Sequence, residues 1–385
     1  LNNQQEAGGA MFNKLCRIFQ IFFLCLVFIF LSVGCTRAEE PQEIVIGVVW
    51  PFSTNNNLFN EGIDLAVKSI NADGGINGKK LKLLKEQDDS EVVKGVSIAE
   101  SFAENKSVQA VIGHRNSYVS IPASAIYERA GLTMLSPAST NPELTQNGFR
   151  NIFRNIPGDD KIAGRLAEYL GRQGLRRMVV YYTDDVYGIG LANFFEDQAK
   201  QNGIMVVDRF NNYSNVEELK RLHNRWKAFG YDGIFIATAM PGAAIFIRDA
   251  GQAGITGPFA GGNALDSLEL LSIGGETAEG TIVGTTFDRN SDSPETKNFI
   301  KSFRQEYHLE PTTYAALGYD AVMMLAAAME KTDIGDRASV AKGLRDLGRW
   351  HGVCGVHEFS ATGDDLGDLV VLKKLQDGIF VSLEE

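Results

Sequence analysis

Cysteine is scarce in this chain: four residues in 385, at positions 16, 25, 35 and 354. Such a count excludes the disulfide framework on which small secreted folds depend. An excess of positive charge is missing too. Thirty-seven Lys and Arg stand against 48 Asp and Glu, for a net charge of −11, which argues against a nucleic-acid partner. The longest apolar run, Ile21–Leu31, is eleven residues, short of the ~20 that a spanning helix needs, so a polytopic membrane protein is excluded. Nucleophile-elbow, Walker, dinucleotide-fingerprint and His-Glu-x-x-His signatures are absent as well. Proline is low at 10, and no low-complexity segment or short-period repeat occurs. What remains is ordinary globular composition, 44% hydrophobic and 22% charged with 40 glycines. At ~150 residues per domain, the length suggests two domains.

The apolar run is preceded by Met11, Lys14 and Arg17 and followed by Leu31-Ser32-Val33-Gly34-Cys35. A basic stretch before a short apolar segment reads as an export signal. Small residues leading to a Cys at its end resemble the bacterial lipobox, in which that Cys is acylated and becomes the mature N-terminus; the plainer alternative is a signal peptide with an incidental Cys. Gly8-Gly9-Ala10 reads like a ribosome-binding site translated in frame, so the expected start is Met11. The expectation is therefore an upstream segment and signal over 1–34, a lipidated tether over 35–43, and an exported protein, periplasmic or at the cell surface, anchored to the membrane through Cys35.

From residue 44 onward, strand-length apolar runs alternate with helical periodicity. Strands are expected at Ile44–Val49, Leu81–Lys85, Val108–Ile112 and Thr133–Leu135, with helices at Asn60–Ala72, Glu91–Asn105 and Tyr118–Ala130 between them. A second series begins near Asp159, with strands at Met178–Tyr182, Met205–Asp208, Ile234–Ala237 and around Phe259. Helices are then expected at Thr296–Tyr307, Tyr314–Glu330 and Ser339–Leu347, and a terminal hairpin turned at Asp377-Gly378. Two such series predict α/β architecture with two doubly wound, Rossmann-like parallel-sheet lobes.

In folds of this kind ligands bind beyond the carboxyl ends of the strands. That rule selects the loops carrying Trp50 to Phe59, Gly113 to Ser117, Ser136 to Thr140, Asp184 to Gly188, Thr238 to Met240 and Gly261 to Asn263. Ser117 stands at a helix start, where a hydroxyl and free N–H groups make a carboxylate site, or where it serves only as a cap. Ala138 and Thr140 offer an N–H and a hydroxyl to the same anion. Trp50, Phe52, Phe59 and Tyr187 are candidates to wall an apolar pocket, or simply core residues. His351, Cys354 and His357 have a metal-like spacing, but in one extended strand the Cys faces away from the two His; no metal is expected. Nothing in the spacing supports a triad of His114 with Ser117.

Several stretches, in order, resemble the type I periplasmic binding proteins of the Leu/Ile/Val-binding family. They are Ala72-Asp-Gly-Gly-Ile-Asn-Gly-Lys-Lys-Leu81, Val111-Ile-Gly-His114, Pro122-Ala-Ser124, Pro137-Ala-Ser-Thr-Asn-Pro-Glu-Leu-Thr145, Tyr187-Gly188, Gly275-Glu-Thr-Ala-Glu-Gly280, Tyr314-Ala-Ala-Leu317 and Gly352-Val-Cys-Gly355-Val-His-Glu-Phe359. The resemblance implies two lobes joined by a three-strand hinge near Pro157, Asp288 and Ser360. Lobe 1 would take 44–157 plus 288–359, and lobe 2 would take 158–287 plus 360–385. It further implies that Ser117, Ala138 and Thr140 hold a ligand α-carboxylate, with Tyr187 helping from the second lobe. Two departures stand out. Asn263 occupies the position of the acidic partner for an α-ammonium, and Ala239 a position that is aromatic in the family. The loop at Asn55–Asn57 is also shorter. The carboxylate half is thus intact while the ammonium half is altered, which fits a ligand with a carboxylate, an apolar or aromatic body and no α-ammonium, unless Asp184, Asp185 or Asp266 restores the charge.

The function so implied is that of a monomeric, lipid-anchored solute-binding protein serving an ABC permease, without enzymatic activity or cofactor. Its ligand would be a hydrophobic or branched-chain amino acid or a related small carboxylate. A ligand-sensing receptor for a signalling system is the alternative from another class, and an exported α/β hydrolase a third.

Overall fold

The computed structural model describes residues 43–53, 57–332 and 336–383. The expected signal segment, Met11, Cys35, tether residues 36–42, and Asn55 and Asn56 of the first loop lie outside the described residues.

The first sheet has five parallel strands: β1 (Glu43–Val49), β2 (Lys80–Glu86), β3 (Val108–Ile112), β4 (Thr133–Ser136) and β5 (Ile152–Arg154), in the order β2-β1-β3-β4-β5. β1 reads as an almost continuous apolar run because helices cover both faces of the sheet, whereas the edge strand β2 carries three lysines. Ile44, Ile46 and Val48 of β1 pack under the helices Phe59–Ala72 and Thr313–Glu330. Val49 and Val111 pack on the other side with Phe102 and Tyr127, from the helices Val92–Glu104 and Ser117–Arg129. Each such side chain, fully buried, contributes about 1.5–3 kcal/mol. Gly62 lets the first pair of helices touch backbone to backbone: a Cβ there would lie 2.1 Å from the Ala315 carbonyl oxygen.

The second sheet continues the pattern with β6 (Arg177–Tyr182), β7 (Met205–Phe210), β8 (Gly233–Ala237), β9 (Phe259–Gly261) and β10 (Ile282–Thr285), all parallel. A short antiparallel ribbon, β11 (Trp350–Gly352) with β12 (Gly355–His357), stands apart from both sheets. The chain then adds β13 (Val371–Gln376) and β14 (Ile379–Ser382) antiparallel to the second sheet, giving the order β14-β13-β10-β9-β8-β6-β7. The β13–β14 turn places Asp377 at φ 52° and Gly378 at φ 80°, the pair of left-handed residues that a two-residue hairpin requires.

The polypeptide passes between the two sheets three times. It leaves β5 for the helix Asp159–Arg172, whose Ile162 and Leu166 sit in the core of the second sheet. It leaves β10 for the helices Pro294–Tyr307 and Thr313–Glu330, and returns after β12 through residues 358–370 to β13.

The ribbon changes the geometry expected for His351 and His357. They lie on opposite strands, His351 exposed and His357 buried. His357 Nδ1 is 2.5 Å from Asp365 and Nε2 is 3.5 Å from Asp320. Burial works against its charge, but the bonds to Asp320 and Asp365 win and raise its pKa to about 9. Asp320 also accepts from the N–H groups of Val353 and Cys354, both at 2.8 Å, so this cluster is a fastening of the ribbon.

Candidate functional site

Each sheet has a switch point: in the first, β2 and β3 leave β1 in opposite directions; in the second, β7 and β8 flank β6 in the same way. The loops at the carboxyl ends of these strands meet around a small cavity of about 30 Å³, roughly one water's share of liquid volume. Arg115, Ser117 and Ala138 line it from the first-sheet side, Tyr187, Ala239 and Asn263 from the second, and Tyr314 from the start of the helix Thr313–Glu330.

Ser117 is the first residue of its helix, not the cap; Asn116 takes the cap position. The Ser117 hydroxyl, buried, accepts only a long bond from the Asn141 N–H, at 3.4 Å. The Ala138 N–H reaches Ser136 Oγ at 3.5 Å, the outer limit of a hydrogen bond, so it too is nearly free. The Thr140 carbonyl is fixed by the N–H of Asp159 (2.8 Å) and by Arg154 (3.0 Å), which sets the backbone of this loop while leaving the buried Thr140 hydroxyl without a well-aligned partner among the described residues. Arg154, itself buried, is neutralised by Asp364 at 2.7 Å.

From the other side, Tyr187 stands in the first turn of the helix Val186–Gln201, which Asp185 caps through the Gly188 N–H at 2.8 Å. Its phenol is buried, its hydroxyl has no well-aligned partner among the described residues, and burial raises its pKa well above the usual tyrosine range against a weaker pull from the Ala264 backbone. The Asn263 side-chain oxygen is buried and open as well. Asn141 ties the two halves at this point by donating to the Val186 carbonyl at 2.7 Å. Glycine at 190 is needed for this, since a Cβ there would sit 2.6 Å from the Asn141 amide nitrogen.

Trp50 and Phe59 stack on one another, centroids 3.8 Å apart, in the core beneath the site. Trp50 supports Tyr314 edge-on at 6.0 Å; neither Trp50 nor Phe59 lines the cavity, whereas Tyr314 does. The three aspartates considered for a missing charge are occupied elsewhere. Asp185 is the helix cap, Asp184 is exposed, and Asp266 accepts from Lys373 (3.0 Å), Thr285 (2.9 Å) and Thr313.

A different carboxylate lies near the cavity, behind its wall rather than on it. Asp159 opens the helix that follows the first crossover, is fully buried, and has no well-aligned hydrogen bond to either oxygen among the described residues. Burial pushes its pKa up to about 7, against the opposing pull of the Thr140 hydroxyl and of Arg154. Its charge is felt at Tyr187. Arg115, buried with its guanidinium 5.5 Å over the Tyr314 ring, supplies the one cation among the lining residues. A zwitterion thus meets matched surroundings: open donors at Ser117, Ala138 and Thr140, and open acceptors at Asp159 and Asn263. The His114 ring, by contrast, is spent on Asp88 (2.7 Å) and Tyr127 (3.2 Å) and does not serve Ser117.

Residues 43–368 match the family model of the periplasmic binding proteins. Leu/Ile/Val-binding protein homolog 1 of Brucella suis biovar 1 is 31% identical over 349 residues, covering 90% of this chain and 92% of the relative. An amino acid binding protein of Pseudomonas aeruginosa is 30% identical over 321 residues, 82% of this chain and 85% of its own. Among solved structures, an ABC transporter substrate-binding protein from Desulfitobacterium hafniense in complex with Leu is 54% identical, with a TM-score of 0.83 over 89% of this chain and all of that one. Two α/β halves joined by three crossings, a cavity between them, and these matches over most of the chain lead to one conclusion: the chain belongs to the periplasmic binding protein family, a family of extracytoplasmic binding proteins and not of enzymes.

Proposed function

We propose that this protein is the solute-binding component of an ABC importer and that it closes its two lobes on a hydrophobic amino acid, leucine being the first candidate. The carrying observation is a set of buried polar groups without well-aligned partners among the described residues: Tyr187 and Asn263 on the wall of the cavity, and Thr140 and Asp159 on the adjoining loop and helix, with the Asp159 charge acting on Tyr187. Buried polar groups are normally paired, and here their missing partners have the chemistry of an amino acid. Ser117, Ala138 and Thr140 hold the α-carboxylate; Asp159 and Asn263 accept from the α-ammonium; Tyr187 closes over both from the second lobe; Ala239 faces the side chain, which the cavity of about 30 Å³ admits only once the lobes have parted. The 54% identity to a protein solved with Leu supports the same ligand.

Asp159 also explains why closure waits for ligand. Shutting the cleft on an unpaired carboxylate costs several kcal/mol of desolvation, and a ligand ammonium offsets it. The differential affinity for the closed form is what shifts the population. The lobes take 44–157 plus 288–359 and 158–287 plus 360–385 in this reading. A monomer, tethered to the membrane through a lipidated Cys35, delivers cargo to the permease.

Isothermal titration with leucine, isoleucine, valine, phenylalanine and 4-methylpentanoate (leucine without its ammonium) tests the proposal. Leucine is expected to bind and 4-methylpentanoate to bind at least tenfold more weakly. Absence of heat with every amino acid would overturn it.

A further inference from the structure

A second and larger cavity, about 310 Å³, lies on the far side of the Asn263–Asp266 turn from the cleft. It reaches the lower end of ordinary small-molecule sites, about 300 Å³. Its wall is apolar. Phe287 forms the floor, and Leu268 and Ile379, 57% and 54% exposed, stand at its rim. Here the two exposed side chains extend the apolar wall of the cavity outward to its mouth. Its charge is one-sided. Lys373 is neutralised by Asp266 at 3.0 Å. Glu310 is engaged by Arg304 through two bonds of 2.8 Å. Arg289, half-buried at the same cavity, faces Glu310 but has no hydrogen-bonded carboxylate of its own among the described residues. The uncommitted group is therefore a guanidinium beside an apolar pocket, and a guanidinium pairs with a carboxylate in a bidentate fork.

We propose that this cavity binds a small carboxylate with an apolar tail, one anionic head on Arg289 and the tail between Leu268, Phe287 and Ile379. The site is distinct from the cleft but mechanically joined to it. Thr313 lines one cavity and Tyr314 the other; the turn from Asn263 to Asp266 does the same. Thr313, on a helix packed against the first sheet, is bonded to both Asp266 and Lys373. The second cavity is thus complete only when this contact is made, and its ligand favours the closed form. By reciprocity, each ligand tightens the other by the same factor.

Octanoate is the probe, with octylamine as the charge-reversed control. Titrated into leucine-saturated protein, octanoate is expected to bind with one-to-one stoichiometry, and octylamine to give no saturable heat. Arg289→Ala and Leu268→Asp should each weaken octanoate at least tenfold while leaving the leucine affinity, measured without octanoate, within twofold, which also shows that both variants fold. Failure of octanoate to bind, displacement of leucine by octanoate, or full affinity in both variants would overturn the proposal. A leucine-free titration separates the two readings: Arg289-dependent octanoate binding in a protein that ignores all amino acids would leave this site standing and remove the one proposed for the cleft.

Discussion

Asp159 and Asp266 are the same residue type, both almost wholly buried and both close to the cleft, yet their surroundings are opposite. Asp266 accepts from a lysine and two threonines, with Lys373 as its counterion. Asp159 has a backbone N–H bound to Thr140 but no well-aligned donor on its carboxylate. A satisfied buried carboxylate belongs to the architecture, since removing its partner strands a charge. An unsatisfied one is a cost the fold carries for something that arrives later. The difference separates the joint from the socket without reference to any relative.

The comparison breaks hardest at Asp266. Asp266→Ala leaves Lys373 buried without a counterion and is expected to lower stability by about 3–5 kcal/mol, read from the urea midpoint of the ligand-free protein. A loss below ~1 kcal/mol would mean that Lys373 finds water instead. Removing the two hydroxyls together, Ser117→Ala with Thr140→Ala, is expected to cost about 3 kcal/mol of leucine binding, from two bonds to a charged group, with little change in the urea midpoint.

Asp159→Asn should weaken leucine by about 2 kcal/mol, less than loss of a full charge pair, because the amide keeps an acceptor. Its effect on the empty protein has the opposite sign and depends on pH. The folded-state pKa of Asp159 is raised to about 7 from an ordinary 3.8. Its favourable contribution is therefore complete below about pH 4 and lost as pH rises through 7. Ligand-free Asp159→Asn should gain thermal stability over the parent between pH 5 and 8, and not at pH 4; a constant difference across that range would refute the burial of this carboxylate. The smallest effect is expected at Asn141→Ala, about 1 kcal/mol of closure free energy from the lost bond to Val186, seen as a faster leucine off-rate in stopped flow with a nearly unchanged on-rate.

Much of the scaffold was readable beforehand, and the exceptions have physical causes. β3 occupies its expected residues because four of its five positions are apolar and Gly113 ends the run, and the Asp377-Gly378 turn is dictated by backbone conformation. β5 was missed because a three-residue edge strand carries no periodicity. β10 was missed because Gly284 interrupts it; that glycine is required where a Cβ would come within 3.0 Å of Ile162 and Leu166. At the site, the loops bearing Ser117, Ala138, Thr140, Tyr187, Ala239 and Asn263 follow from strand ends and resemblance, and the fold brings all but Thr140 to the wall of one cavity, with Thr140 bonded through its carbonyl to Asp159. Asp159 itself was not legible. An acidic residue in the first turn of a helix ordinarily offsets the helix dipole in water, and only the packing of the crossover shows that no water reaches it. Arg115 and Tyr314 were hidden for the same reason, since their meeting depends on a helix almost 200 residues away in the chain.

That distant helix bears on how the chain is made. β1 and the helix Phe59–Ala72 emerge early in synthesis, but the apolar face they share is covered by Thr313–Glu330, and Gly62 waits for the backbone at Ala315. Until then the first sheet has one dry side and one wet side. Its closure depends on contacts far apart along the chain, which form slowly. A polypeptide built in this order cannot complete its first core until the helix Thr313–Glu330 has been made, an order of assembly compatible with a family whose members work outside the cytoplasm.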